Sequence, residues 1–396
     1  MLVKEGERTK PIWMLIASFH PLVGGAEVQV YRLTKLLLAR GWRVSVITRR
    51  HGPPVLKGVR RREVHDGIPI RRVPNLYSNK LGSLIYMLAG YCYLFFRGPG
   101  SIYHAHYPGA PAFQAIAARY LLRGRCLVTF HAGADAYRES QASFIRKQHF
   151  KLLFRLVDRF VAVSRDVERF LIECGAPRQK VELIRNGVDT SFFRPPSRKE
   201  KSEARARLNI DPTKTVVVYV GRLETVKGID ILVSAWGQMP HDMRSRLLLV
   251  IVGDGSEKPR ISDMIREGGL DESVNLSGMQ PSVRDYYWAA DLLALPSRSE
   301  GLPNSLIEAM ACGLPVLVSD LPGCREMVTD GVNGACFQPD DPGSLAAALT
   351  SLLSQRERWS NLGSQARETI VSRASLSEAA DRLDRLYRQL ESELTE

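Results

Sequence analysis

Paired cysteines are absent from this chain of 396 residues. Its six cysteines stand far apart, at positions 92, 126, 174, 312, 324 and 336. Because none of them forms a Cys-x-x-Cys pair, the sequence indicates neither a zinc site nor a disulfide framework. Isolated cysteines fit a reducing compartment, so we expect a cytoplasmic protein.

Clear membrane-crossing and export segments are missing as well. Leu81–Phe96 holds sixteen residues without a charge and is rich in aromatic rings, but it is slightly short for a membrane span. It predicts either a buried helix or a membrane-surface helix with aromatic anchors. Basic residues before Ile12–Ala17 resemble a signal peptide, but no small-residue cleavage site follows, so we predict a first strand there. Tandem repeats and low-complexity tracts are absent.

Charge is distributed unevenly along the chain. Residues 1–200 hold 34 basic and 14 acidic residues, a formal charge of +20, whereas residues 201–396 hold 21 and 28, a formal charge of −7. A basic amino half predicts an anionic partner, such as lipid headgroups or a lipid-phosphate acceptor. We therefore expect peripheral contact with the inner face of the cytoplasmic membrane. Nucleic acid is the competing partner, but no recognition motif supports it.

Short apolar runs alternate with amphipathic helical segments in both halves, which predicts parallel βαβ units. The predicted strands are Ile12–Ala17, Val44–Ile47, Ile102–Ala105, Cys126–Phe130, Arg159–Val163, Val216–Val220, Leu247–Val252, Ser273–Leu276, Leu292–Leu295 and Val316–Val318. A proline pair and a charge cluster near residue 196 are typical of a linker. We therefore predict an α/β protein with two doubly wound, Rossmann-like domains at 1–195 and 213–375, a linker at 196–212, and a last helix at 376–396.

The most informative motif follows the predicted strand Leu292–Leu295 and reads SRSEGLPNSLIEAMACGLP from Ser297. A polar loop carries Glu300, and a helix follows that places Glu308 about one turn from its start. Two carboxylates therefore converge near a helix amino end, at the carboxyl end of a buried strand, where open α/β sheets bind ligands. The backbone amides of Gly301, Leu302 and Asn304 in this loop are suited to phosphate or sugar oxygens.

A second motif, GRLETVKG, follows the apolar strand Val216–Val220 and supplies Arg222 and Lys227. Two fixed cations at a crevice suit a diphosphate leaving group, because they neutralise the charge that grows as a glycosyl–phosphate bond breaks. A paired-carboxylate glycoside hydrolase would explain neither cation.

These two motifs together resemble glycosyltransferase family 4, whose members are retaining, nucleotide-sugar-dependent enzymes. The resemblance implies the GT-B fold, with two domains facing across a cleft and a last helix that packs on the amino domain. It also implies that the amino domain binds the acceptor and the carboxyl domain binds the donor. Close relatives use many substrates, so the sugar, the base and the acceptor stay open.

The resemblance also assigns roles to individual residues. Glu300 would contact sugar hydroxyls, Glu308 would hold the ribose hydroxyls, and His131 would contact the donor sugar near its reacting carbon. Asp135 is a candidate either to hold His131 or to meet the acceptor. The expected catalytic residues are His131, Arg222, Lys227 and Glu300. The expected donor-binding residues are Gly24, Gly25, Gly253, Met279, Gly301, Leu302, Pro303, Asn304 and Glu308.

No acidic pair of the metal-binding type follows a strand of the amino half, and no histidine–carboxylate cluster has metal spacing. The fingerprint G-x-G-x-x-G is absent after the first strand, which argues against a dinucleotide cofactor. We therefore expect no metal and no cofactor, with retention by front-face attack as the resemblance implies. The acceptor would be a lipid-linked saccharide or a membrane lipid. The alternative is a non-catalytic subunit that binds a nucleotide sugar.

Overall fold

The computed structural model describes residues 10–22, 24–50, 60–74, 79–96, 101–140 and 144–395. The chain divides into two compact units. Unit 1 comprises residues 1–186 and 376–396, and unit 2 comprises residues 187–375. Each unit is built around one twisted sheet with helices on both faces.

Unit 1 has an eight-stranded sheet in the order β3-β4-β2-β1-β5-β6-β7-β8, parallel except for β3, which pairs antiparallel with β4. Its strands are β1 Ile12–Leu15, β2 Val44–Arg49, β3 Arg62–His65, β4 Ile68–Val73, β5 Ile102–His106, β6 Arg125–Phe130, β7 Arg159–Ala162 and β8 Val181–Leu183. Its helices before residue 187 are α1 Gly25–Ala39, α2 Asn79–Phe95, α3 Ala110–Leu121, α4 Ala134–Ser140, α5 Phe144–Leu156 and α6 Arg165–Glu173. The strand order reverses at β1, between β2 and β5.

Unit 2 has six parallel strands in the order β11-β10-β9-β12-β13-β14, the Rossmann order. The strands are β9 Thr215–Val220, β10 Leu247–Val252, β11 Val274–Gly278, β12 Leu292–Leu295, β13 Val316–Ser319 and β14 Ala335–Phe337. The helices are α7 Arg198–Arg207, α8 Ile229–Gln238, α9 His241–Arg244, α10 Lys258–Glu267, α11 Arg284–Ala289, α12 Asn304–Ala311, α13 Pro322–Arg325, α14 Pro342–Ser354 and α15 Trp359–Arg373. Every residue of β9 is buried, as its unbroken apolar run predicts.

The predicted strands are present, and two doubly wound units in series are confirmed. The residues predicted as a linker at 196–212 are largely helical instead, because Ser197 and Glu200 form a capping box that begins α7. Lys201 and Arg205 of α7 then pair with Asp291, the residue that precedes β12. The chain passes between the units at Asn186–Gly187, and again at Ser375–Leu376.

The last helix, α16 Leu376–Thr395, belongs to unit 1. Leu383, Tyr387 and Leu390 are buried in a core cluster on the face of the sheet that α1 also covers. Helices α2, α3 and α5 contribute to a second cluster that includes other strand residues of the same sheet. Among the described residues, no helix combines the length and the apolar character that a membrane crossing requires.

Candidate active site

The strand order of unit 2 reverses at β9, which lies between β10 and β12. The segments that follow β9 and β12 therefore leave the same edge of the sheet as direct neighbours. Arg222 follows β9, and Ser297 and Glu300 follow β12. Both sequence motifs consequently meet at the topological switch point, the position where open α/β sheets bind their ligands.

Lys227 and Glu300 form an ion pair at this switch point. The Lys227 Nζ atom lies 2.7 Å from Glu300 Oε1, and the two side chains are 21% and 7% exposed. The Ser297 hydroxyl donates a second hydrogen bond of 2.7 Å to the same carboxylate oxygen. Ser297 itself is fully buried. The carboxylate is therefore held by two donors through one oxygen, which leaves Oε2 without a hydrogen bond in the described part of the chain.

Two glycines bring the loops of this edge into backbone contact. Gly228 has a φ of +61°, and a Cβ there would lie 2.0 Å from the Pro296 carbonyl oxygen. Gly253 has a φ of +145°, and a Cβ there would lie 1.8 Å from the Gly221 carbonyl oxygen. Any side chain at either position would separate the loops, so both glycines are required by close approach as well as by conformation.

Arg222 is exposed and forms no ion pair with the described residues. Its backbone is fixed, because the Tyr219 hydroxyl donates to the Arg222 carbonyl oxygen at 2.9 Å. Burial raises the pKa of Tyr219, so this hydroxyl stays protonated. The guanidinium therefore extends from an anchored loop at the same edge of the sheet as the Lys227–Glu300 pair.

Glu308 lies in the second turn of α12 and is buried. The hydroxyl of Tyr287, on α11, donates to Glu308 Oε2 at 3.0 Å. Pro303 is the N-cap of α12, and Gly313 follows the helix with a φ of +73°. The loop residues Gly301 and Leu302 are buried ahead of this cap.

Two further predicted donor residues follow neighbouring strands of unit 2. Gly253 follows β10, and its amide donates to the Gly278 carbonyl oxygen at 2.8 Å. Met279 follows β11 and is 66% exposed. These residues share the edge of the sheet that carries Arg222 and Glu300.

The remaining predicted residues belong to unit 1. Gly24 is the N-cap of α1, and Gly25 is its first residue. His131 follows β6, and its Nε2 atom lies 3.0 Å from Nδ1 of His106. Burial lowers the pKa of His131 to about 3, so its ring is neutral at physiological pH.

The suggestion that Asp135 holds His131 is not supported. Its carboxylate pairs with Arg138 at 3.0 Å, whereas the ring nitrogens of His131 have other surroundings: Nε2 meets His106, and Nδ1 is buried without a partner among the described residues. Asp135 and Arg138 lie three residues apart on α4, and Arg138 also lies 3.6 Å from Asp166 and 3.7 Å from Glu173 of α6.

Sequence reasoning missed two side chains that hold the predicted carboxylates. Ser297 holds Glu300, and Tyr287 holds Glu308. Ser297 could have been found, because it stands three residues before Glu300 in the same loop. Tyr287 could not, because it lies 21 residues before its partner on another helix.

Two family models match the chain. Residues 200–369 match the model described as glycosyl transferases group 1, and residues 23–192 match the model of glycosyltransferase family 4. Among curated relatives, D-inositol 3-phosphate glycosyltransferase 1 of Catenulispora acidiphila is 28% identical and covers 92% of this chain and 90% of its own. The D-inositol 3-phosphate glycosyltransferase of Nocardia farcinica is 30% identical, with coverage of 87% and 80%.

Solved structures show the same architecture. Sucrose-phosphate synthase from Thermosynechococcus elongatus superposes with a TM-score of 0.83 at 25% identity, covering 97% of this chain and 99% of its own. The Anabaena protein Alr3699/HepE, solved in complex with UDP-glucose, gives a TM-score of 0.78 at 21% identity and covers 96% and 100%. The chain therefore belongs to glycosyltransferase family 4 and is a glycosyltransferase of the GT-B fold.

Proposed function

We propose that this glycosyltransferase moves a sugar from a nucleoside diphosphate to an acceptor hydroxyl with retention and without a metal ion. The observation that carries the proposal is the Ser297–Glu300–Lys227 cluster beside Arg222 at the switch point of unit 2. It combines a carboxylate for sugar hydroxyls with two cations for a diphosphate. A hydrolase needs no such cations.

Lys227 and Arg222 would stabilise the leaving diphosphate. An ammonium group has three N–H donors, so Lys227 can keep its bond to Glu300 while it binds a phosphate oxygen. The anchored Arg222 supplies a second positive charge without a structural partner to give up. Fixed cations of this kind supply the charge stabilisation that a divalent ion supplies elsewhere.

The two carboxylates would bind different parts of the donor. Glu300 presents its remaining oxygen to a sugar hydroxyl, and Glu308 accepts from the ribose hydroxyls. The bond from the anomeric carbon to the diphosphate breaks while a bond to the acceptor oxygen forms on the same face. The departing phosphate oxygen takes the proton from the acceptor hydroxyl. His131, Gly24 and Gly25 of unit 1 would contact the donor.

The acceptor is proposed to be anionic, because the first 200 residues carry a formal charge of +20. The curated relatives are named for D-inositol 3-phosphate, a phosphorylated polyol. A lipid-linked saccharide or a membrane lipid would supply the same chemistry. Transfer assays with inositol phosphate and with vesicles containing anionic lipid as the only acceptor distinguish these sources.

Membrane contact is supported by exposed apolar residues on α2 and at the position just after it, which we call the α2 stripe. Its residues Leu84, Leu88, Phe95 and Phe96 are 49%, 56%, 56% and 83% exposed. Since α2 and α3 each precede a parallel strand, both helices end at the amino edge of the sheet. There α3 adds two more exposed apolar residues, Tyr120 and Leu121. Exposed basic residues are Arg123, which follows α3, and Lys147, Lys151 and Arg155 of α5.

Vesicle co-sedimentation tests this surface. Phe96→Ser should reduce binding to vesicles with anionic lipid several-fold, because an exposed aromatic ring at the interface is lost. Val371→Ser on unit 2, at a residue of 48% exposure, is the matched control. Equal binding by both variants and the native chain would remove the α2 stripe from the proposal.

The donor site is tested by thermal stabilisation against a panel of nucleoside diphosphates and their sugars, with and without EDTA. One nucleotide should raise the melting temperature in both conditions, and Arg222→Ala and Glu308→Gln should abolish that rise. Lys201→Ala, which removes a lysine–carboxylate pair before β12, should retain it. Stabilisation by a donor without transfer to any acceptor would favour the alternative of a non-catalytic binding subunit.

A further inference from the structure

Three histidines form a buried row in unit 1. His104 and His106 are on β5, and His131 follows β6, the neighbouring parallel strand. The ring centroids of His104 and His106 lie 4.2 Å apart, and those of His106 and His131 lie 5.2 Å apart. The core residue Met14 contacts the middle ring, His106, and the row ends at Nδ1 of His131, a buried nitrogen with no partner among the described residues.

We propose that Met14, acting through His106, fixes His131 in the tautomer that carries its hydrogen on Nε2. The unpartnered Nδ1 atom is then an obligatory hydrogen-bond acceptor. Met14 and His106 are positioning residues in this scheme, and His131 is the group that meets the ligand. Its contact with substrate rests on the proposed function, whereas its tautomer does not.

The tautomer follows from the chemistry of one sulfur atom. His106 Nε2 lies 3.5 Å from Met14 Sδ, and a thioether accepts hydrogen bonds but cannot donate them. Nε2 of His106 must therefore carry the hydrogen. Burial holds the pKa of His106 well below its ordinary value, so the ring is neutral and its Nδ1 is a lone-pair acceptor.

The contact between His106 and His131 then determines which ring nitrogen of His131 carries the hydrogen. His106 Nδ1 lies 3.0 Å from His131 Nε2, and two acceptors at that distance would repel each other. His131 Nε2 must therefore donate its hydrogen to His106. Since burial also keeps the His131 ring neutral, its Nδ1 atom carries no hydrogen.

Comparison with His104 shows why the Met14 contact, and not the hydroxyl contacts, determines the tautomers of His106 and His131. Its ring nitrogens contact the hydroxyls of Tyr387 and Thr129, each at 2.6 Å. A hydroxyl can donate or accept, so neither hydroxyl fixes the tautomer of His104 by its chemistry alone, and the Tyr387 hydroxyl also lies 3.9 Å from Met14 Sδ as a donor. Only the thioether has a fixed role, and it determines the orientation of the hydrogen bond between His106 and His131.

A ring nitrogen without a hydrogen can only accept a hydrogen bond, so it favours ligand groups that donate one. Nδ1 of His131 is buried in this structure, so a ligand reaches it only if its surroundings move. A hydroxyl of the transferred sugar or of the acceptor can then donate a hydrogen bond to it, whereas an ionised phosphate oxygen has no hydrogen to donate. The diphosphate therefore belongs to the cations of unit 2, and His131 selects for a hydroxyl.

Nitrogen-15 NMR of the full chain labelled at histidine tests the assignment, because protonated and unprotonated ring nitrogens differ in chemical shift and coupling pattern. The native chain should show His131 with hydrogen on Nε2, assigned by loss of its signals in His131→Gln. Met14→Leu removes the sulfur at similar volume and should increase the Nδ1–H tautomer about tenfold, as expected for the loss of one hydrogen bond. Thr129→Val is the matched control, since it alters a partner of His104 and should leave His131 unchanged.

A native His131 with hydrogen on Nδ1, or a folded Met14→Leu chain with unchanged tautomers, would overturn the proposal. Turnover with the donor that the thermal panel selects separates this result from the proposed function. A shifted tautomer with reduced turnover and unchanged nucleoside diphosphate affinity supports both. A shifted tautomer with native turnover supports the role of Met14 and instead contradicts contact between His131 and the substrate.

Discussion

Unit 2 displays charged side chains at the carboxyl edge of its sheet, whereas unit 1 holds three neutral imidazoles beneath the carboxyl edge of its own. Arg222 is exposed and Lys227 is partly exposed, and both lie in the loop that follows β9. His104 and His106 are almost completely buried, within a strand. The first arrangement provides charge, and the second provides a fixed direction for a hydrogen bond.

This difference determines how each region should respond to change. A charged group contributes through electrostatic attraction, so its removal costs turnover while the fold persists. A buried imidazole contributes by remaining neutral and oriented, so protonation is damaging to the fold itself. The predictions below separate the two kinds of contribution.

The largest effect is expected for Lys227→Ala. Loss of the ammonium group removes charge stabilisation at the leaving diphosphate and should lower turnover by roughly 10²–10³-fold. The measurement is steady-state transfer, with the far-ultraviolet circular dichroism spectrum as a check of the fold. Lys201→Ala is the control, because Lys201 pairs with Asp291 at 2.6 Å at the amino end of β12. Near-native turnover of Lys227→Ala would contradict the role in diphosphate binding.

As the pH falls, unit 1 should lose stability at a higher pH than unit 2. Burial lowers the pKa of His104 and of His131 to about 3 from 6.5, so the unfolded chain binds more protons than the folded one. The stability that neutral burial provides is complete above the unfolded pKa and is lost as the pH falls from 6.5 toward 3. At about pH 5 the loss is about 2 kcal/mol for each histidine.

Hydrogen-exchange mass spectrometry at decreasing pH measures this difference. Peptides of β5 and β6 should lose protection at a higher pH than peptides of β9 and β12. His241, on α9 of unit 2, is exposed, so His241→Gln should leave both transitions in place. If both units lost protection at the same pH, the histidine row would not determine the pH at which unit 1 unfolds.

The smallest effect is expected for Ser297→Ala. It removes one of two hydrogen bonds to Glu300 and leaves the ion pair with Lys227, so turnover should fall about threefold to tenfold. Nucleoside diphosphate affinity should not change, since the diphosphate contacts remain. Ser297→Thr keeps the hydroxyl and should restore part of the loss. Equal activity of the alanine and threonine variants, at any level, would indicate a packing role.

The two regions also differ in how far the sequence predicted them. The Ser297–Pro315 motif and the Arg222–Lys227 loop lie within short segments, and adjacent parallel strands bring such segments together. The strands themselves were predictable from unbroken apolar runs. The assigned roles of these residues stay predictions that the experiments above test.

The histidine row depends on contacts between distant parts of the chain. Met14 lies 92 residues before His106, and Tyr387 lies 283 residues after His104. Residue spacing within one segment does not reveal contacts between distant segments, so the histidine row was not predicted from the sequence. The capping box at Ser197 and Glu200 was a local signal, but the adjacent prolines and charges favoured a linker. To distinguish a linker from a helix start, the capping residues must be considered together with the neighbouring prolines and charges.

The return of α16 to unit 1 has a consequence for protein synthesis. A ribosome supplies the whole of unit 2 before it supplies Tyr387 and the other buried residues of that helix. Unit 2 is contiguous and can form its core while translation continues, because domains generally fold as units. Unit 1 is translated first but receives the core residues of α16 only after unit 2 has been made, so the apolar surface that α16 covers stays exposed during that interval.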